Sequence, residues 1–327
     1  MLTRRHLIAA SGTLPIAMFA PAWAATAWPA KPIRIVVPSP AGSPVDAIAR
    51  KLGELLGKSL GTPVVVDNKP GAIGTIGAGE VARSAADGYA FLFTTSDPLV
   101  AASVMVKKLP YDPRSGFLPI SKVANSAPAL VAHPRVKANS VSELIAEMKA
   151  QGNSPSYGSW GPGTIPVQVM ESVARQAGVR FGEVPYRGSP PALQDLLGGT
   201  VDLTFAAPFV AAPMIAEGKM KALALVGAKR SAVLPNVQTF AEAGFSSYVF
   251  TNEIWVGLLA PAGLDAAIQQ KVALAVRAAV QGADLSGFLA NIGFTPVGNA
   301  PAEFERELLA EAAAIPALLR DLGIQPL

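Results

Sequence analysis

The chain has 327 residues, half of them hydrophobic and 15% charged, which is room for two domains at roughly 100 to 200 residues each. The low charge raises a membrane protein first, but beyond residue 31 the longest candidate segment, 203–216, falls short of the roughly 20 residues a span needs and contains Pro208 and Pro213. With no cysteine, and with His6 and His133 as the only histidines, disulfides, thiolate catalysis, Cys-ligated zinc, iron–sulfur clusters and multi-histidine metal sites are excluded, so no catalytic residue, metal or cofactor is assigned.

At the N terminus an uncharged stretch from Leu7 to Ala30 follows Arg4 and Arg5, which is the layout of a secretory signal. Ala22-Trp23-Ala24 and Ala25-Thr26-Ala27 both suit signal cleavage, so residues 1–27 are expected to be removed. Thr3-Arg4-Arg5-His6-Leu7-Ile8 fits a twin-arginine signal as well as a general secretory one, and both routes stay open. Loss of Arg4 and Arg5 leaves 25 basic side chains against 23 acidic, a net charge near +2 that gives no reason to expect nucleic acid as a partner.

The mature part alternates β-rich runs with helical stretches. Strand Ile33 to Val37, helix Val45 to Leu60, strand Pro63 to Val66, helix Thr75 to Ser84 and strand Ala90 to Thr94 make a βαβαβ unit with a parallel sheet. A second series runs from strand Ala129 to Ala132 through helices Ser140 to Ala150, Ile165 to Ala177, Pro190 to Leu197 and Ala207 to Glu217, with strands between them, to strand Lys221 to Val226. Strand Ile254 to Leu259 is followed by helices Asp265 to Gln281 and Pro301 to Leu322. The expected fold class is therefore α/β, two lobes, each a mostly parallel sheet flanked by helices.

Four turns carry the candidate chemistry. Pro38-Ser39-Pro40-Ala41-Gly42-Ser43-Pro44 opens the helix that carries Asp46; it offers free N–H groups and a helix dipole to an anion, or else is simple capping by Ser43 with Pro44 at the first helical position. Asn68 to Gly79 is glycine-rich, and Gly77-Ala78-Gly79-Glu80-Val81-Ala82 has the G-x-G-x-x-A spacing of a dinucleotide site, with Asp97 twenty residues on. It begins inside a helix rather than directly after the strand, so close helix packing and a backbone ligand contact near Gly71 to Thr75 fit better. The third turn is Thr94-Thr95-Ser96-Asp97 and the fourth Gly158-Ser159-Trp160-Gly161-Pro162-Gly163-Thr164. Turns at strand C-termini in two lobes are expected to converge on one interlobe cleft. His133, before Pro134, reads as structural.

An ordered series of motifs resembles the solute receptors of tripartite tricarboxylate transporters, the Bug family: Lys31-Pro32-Ile33-Arg34 through Gly42, Asp46 and Arg50, Asp67-Asn68-Lys69-Pro70-Gly71, Asp87-Gly88-Tyr89, Tyr111-Asp112-Pro113, Val184-Pro185-Tyr186-Arg187-Gly188, Asp195 to Gly199, and Trp255 with Pro261. The resemblance implies a type II-like periplasmic binding protein, its ligand cleft between lobe 1 (28–125 plus 251–327) and lobe 2 (126–250). It implies a monomer that binds a small carboxylated solute without chemistry, served by an inner-membrane permease of the tripartite type or by a sensor. Carried over residue by residue, the implied contacts are Ser39, Ala41, Gly42, Ser43, Asp46, Ser96, Asp97, Trp160, Gly163, Thr164 and, from the second lobe, Ala207.

This sequence departs from the family's pattern at Ser39, where an aromatic is usual, at Ser43, where a second glycine is usual, and near Val167 and Ala207, where polar groups are missing. With Trp160 added and Lys69 the only Lys or Arg in the four turns, a flat apolar carboxylate is expected to outrank citrate-like ligands. The competing readings are an exported enzyme acting on a small carboxylate, which the twin-arginine pattern favours, and a sensory receptor that presents its ligand to a signalling partner.

Overall fold

The computed structural model describes residues 28–324; the expected signal and its cleavage sites lie outside them. In the first lobe the chain opens β1 (Ile33–Val37), α1 (Pro44–Leu60), β2 (Val64–Asn68), α2 (Thr75–Ala82), β3 (Ala90–Thr94), α3 (Ala102–Met105) and β4 (Phe117–Ser126). It then crosses to β5 (Ala129–Ala132), α4 (Val141–Gln151), β6 (Ser156–Ser159), α5 (Ile165–Ala177), β7 (Gly182–Pro185), α6 (Ser189–Leu197), β8 (Leu203–Ala206), α7 (Pro208–Ala216), β9 (Lys221–Leu225) and α8 (Tyr248–Thr251). The return passes through β10 (Ile254–Pro261), α9 (Ala266–Gln281), α10 (Ala283–Asn291), β11 (Thr295–Pro296) and α11 (Pro301–Asp321).

Two sheets result, one of order β11-β4-β10-β3-β1-β2 and one of order β7-β6-β8-β5-β9. Each is mixed. The pairings of β1 with β2 and β3, and of β6 with β7 and β8, are parallel, as βαβ crossovers require, whereas β10, β4 and β5 pair antiparallel with their neighbours. The antiparallel strands flank the two crossings, where the chain enters a sheet from the other lobe.

The elements form for local reasons. The IRIVV run of β1 is buried at four of its five positions, which suits an apolar strand covered by helices on both faces. Ser43 accepts the Asp46 N–H, Pro44 presets the first turn, and Gly61 in the left-handed region ends α1 after Ile48, Ala49, Leu52 and Leu56 have been buried. Those side chains pack with Phe91, Phe93, Val256, Leu258, Val272 and Val276 in the core of the first lobe. In the second lobe Leu130, Tyr157, Val169, Met170, Phe205 and Phe240 form the corresponding core. Leu318 of α11 touches apolar clusters of both lobes, and Arg175 Nη1 of α5 donates to the Asp321 carbonyl at 3.0 Å, so the last helix ties the lobes together.

The strand β4 is absent from the sequence reading. Its run FLPISKVANS contains Pro119 and Lys122, which argue against a central strand. The sheet accommodates them at register shifts opposite Val256/Gly257 and Leu258/Leu259.

Candidate functional site

Between the lobes lies a cavity of about 450 Å³. Loops after strands of both sheets line it: Ser39 to Val45 after β1, Thr95 to Asp97 after β3, Trp160 and Thr164 after β6, Arg187 to Pro191 after β7, and Ala207 after β8. Ser126, Pro128, Ile254 and Phe294 complete the lining, the first three from or beside the two crossings.

Four helices begin at this cavity, and the N-cap residue of each lines it: Ser43 for α1, Thr164 for α5, Gly188 for α6 and Ala207 for α7. Only α1 has its N-cap side chain bonded to the first turn; the Thr164 hydroxyl instead donates to the Gly161 carbonyl at 2.7 Å. Each helix also carries proline in its opening positions, which presets the turn and reduces the number of N–H groups needing acceptors. Four dipole ends, each equivalent to about half a positive charge, therefore face one small space walled by proline, Trp160, Ile165 and Phe294.

The β1–α1 loop shows how its N–H groups are shared. Gly42 has φ of +80° and donates its N–H to Asp46 Oδ2 at 2.9 Å. The same carboxylate takes Asn68 Nδ2 at 2.9 Å and Arg50 Nε at 3.1 Å, while the Asp46 N–H goes to Ser43 Oγ at 3.2 Å. Burial raises the Asp46 pKa, but the bonds from Arg50, Gly42 and Asn68 outweigh it and hold the carboxyl below its ordinary value. Asp46 is 3% exposed and does not line the cavity. It braces the loop from beneath, its carboxylate turned to Gly42, Asn68 and Arg50. The Ala41 and Val45 N–H groups have no acceptor among the described residues and lie on the lining.

Of the other expected residues, Ser39, Ala41, Gly42, Ser43, Ser96, Asp97, Trp160, Thr164 and Ala207 are brought together on the lining. Gly163 is not among them. Its φ is +72° and its α-carbon faces α3 of the first lobe, where an added Cβ would sit 2.8 Å from Met105 Cγ. A backbone contact near Gly71 to Thr75 does not materialise either, because Gly74 packs on Pro38 and Pro98 and Gly77 on Lys69 and Pro38. The Trp160 ring stands edge-on to Phe205 with centroids 6.5 Å apart, and its Nε1 has no acceptor among the described residues.

Arg187 was not anticipated. It is exposed, lines the cavity, and has no hydrogen bond or ion pair among the described residues, so the cleft does hold one basic side chain. Asp97 carries the opposite sign. Burial, with the Glu311 charge nearby, pushes its pKa up to about 6, against a weak opposing bond from Thr95. Glu311 is itself 4% exposed and accepts from Trp255 Nε1 at 2.6 Å, Asn252 Nδ2 at 3.1 Å and Ser96. Burial nevertheless leaves its pKa raised.

Among the described residues no serine or threonine of the lining is hydrogen-bonded to a histidine. Gly57-Lys58-Ser59-Leu60-Gly61 has the G-x-S-x-G spacing but ends a helix instead of joining strand to helix, and His133 lies in the other lobe, its Nδ1 accepting the Arg135 N–H. Among the described residues no cluster of three His, Asp or Glu suits a metal.

Residues 48–323 match the family described as tripartite tricarboxylate transporter family receptor, TctC. The chain is 33% identical to the protein BugT of Bordetella pertussis over 91% of each chain. Among solved structures, Rpa4515 of R. palustris with adipate is 30% identical with a TM-score of 0.83, covering 92% of this chain and 100% of that one. The periplasmic binding protein BugD is also 30% identical, with a TM-score of 0.80 over the same shares. With most of its length matched, this chain belongs to the TctC family of tripartite tricarboxylate transporter receptors.

Proposed function

We propose that the chain is a periplasmic receptor that captures a small carboxylate in the interlobe cleft, without altering it, and delivers it to a membrane permease of the tripartite type. The observation that carries this reading is the convergence of four helix N-termini on one apolar-walled cavity, which attracts an anion. The adipate that Rpa4515 holds is itself a small dicarboxylate. Residues 28–125 with 251–327 and residues 126–250 act as the two lobes, moving about the crossings near Ser126–Pro128 and Asn252–Glu253, and the protein reaches the periplasm after loss of its N-terminal signal.

Within this reading the carboxylate rests on the Ala41 and Val45 N–H groups and the α1 terminus, directly or through water. The proline, Trp160, Ile165 and Phe294 walls favour a mainly apolar body, and with one Arg187 to offset charge the site suits one or two carboxylates better than three. Thermal shift measurements with aliphatic and aromatic mono-, di- and tricarboxylates test it: a ligand at 100 times its Kd adds about 2.7 kcal/mol. A shift with an apolar acid and no turnover is expected. Turnover of any of these acids, or tightest binding of a tricarboxylate, overturns the respective part of the reading.

A further inference from the structure

One group on the cavity wall is not explained by anion capture. Asp97 is an acid on the lining of a site whose helix ends and Arg187 are positive, yet among the described residues Arg187 forms no ion pair with it. Its one side-chain bond is from Thr95 Oγ1 to Oδ2, long at 3.3 Å, and Oδ1 has no donor among the described residues. It caps nothing: α3 has no side-chain cap, and the turn after β3 is closed by main-chain bonds from Leu99 and Val100 to the Ser96 carbonyl and from Ala102 to the Asp97 carbonyl. Its acidic neighbour Glu311 is saturated by Trp255, Asn252 and Ser96 and supplies no donor. Asp97 is half-buried on the wall with one carboxylate oxygen unbonded among the described residues, and a solute presenting only its carboxylate would place a second anion beside it.

We propose that Asp97 determines specificity: the captured solute carries a hydrogen-bond donor, a hydroxyl or an ammonium, that Asp97 accepts while the solute's carboxylate lies at the helix N-termini. The inference rests on the capture reading above. Two matched series separate the donor types, each with no donor, a hydroxyl and an ammonium: 3-phenylpropanoate, 3-phenyllactate and phenylalanine; and succinate, malate and aspartate. Calorimetry on the mature chain should find a donor-bearing member of one series bound at least tenfold more tightly than its donor-free parent. Asp97→Ala should erase that preference, and Asp97→Asn should weaken an ammonium more than a hydroxyl, with circular dichroism showing both variants folded. Parents binding as tightly as their donor-bearing analogues, or a preference that survives Asp97→Ala, overturns the inference and leaves capture standing. No binding by any of the six acids overturns both.

Discussion

Replacing Asp97 by Asn should stabilise the protein, and only above mildly acidic pH. Burial and the Glu311 charge move the Asp97 pKa from 3.8 to about 6, and each unit corresponds to about 1.4 kcal/mol, so the charged form costs the fold about 3 kcal/mol at pH 7. The native state keeps this proton up to about pH 6 whereas the unfolded chain releases it near 3.8. Between those limits the native state binds more protons, so stability falls as pH rises from about 4 to about 6 and stays at the lower level beyond. Asparagine keeps the shape and an acceptor for Thr95 but has no charge to desolvate. Its advantage should be absent below pH 4 and reach up to about 3 kcal/mol at neutrality, several degrees in Tm. Differential scanning calorimetry of both proteins from pH 4 to pH 8, without ligand, reads this directly. Curves that run parallel at every pH, or a variant less stable at pH 7, would refute the argument that Asp97 is held charged at a cost.

At Gly42, φ of +80° and the lack of any atom within 4 Å of an added Cβ predict that Gly42→Val strains the loop by about 1 to 2 kcal/mol and projects into the cavity; carboxylate binding should drop more than tenfold by calorimetry, with Ser231→Ala as an unaffected control. Gly163→Ala places a methyl 2.8 Å from Met105 Cγ of the other lobe, so it should weaken binding by hindering the approach of the lobes, and Met105→Ala in the same chain should restore part of the loss. Failure of the second substitution to help would assign the effect to backbone strain at φ +72° instead. Mass spectrometry of the periplasmic fraction should find a mature N terminus near Ala25 or Trp28; an intact Met1 in the cytoplasm would refute export.

The alternation of strands and helices was legible where a helix opens on a proline or a capping side chain and carries an apolar face; α5 was read to the residue, and α1 and α9 to within one. What escaped, beside the short α3, α8 and β11, was β4, whose proline and lysine sit where its pairing with β10 shifts register, and α10, which follows Gly282 and carries Ser286-Gly287 in its middle. The same contrast governs the site. Ser43-Pro44 and Thr164 are local signals for helix starts, so the loops that hold them could be found. Whether a carboxylate near such a start faces the ligand or braces the loop is not local, since Asp46 turns back to Gly42 and Asn68 while Asp97 faces the cavity. Arg187 could be read as part of a turn but not as a wall, and the neighbours Asp97 and Glu311 are far apart in sequence and meet only through tertiary packing.

The prolines that open α1, α5, α6 and α7 have a consequence for how this receptor can change. On the capture reading proposed above, recognition of negative charge is vested in main-chain geometry, which a point substitution does not delete, and the first turns are set before any solute arrives. Side chains on the walls are thereby released to vary one at a time, so a lineage could shift its diet from one acid to another through Trp160, Arg187 or Asp97 without passing through an ancestor that had lost its hold on carboxylates.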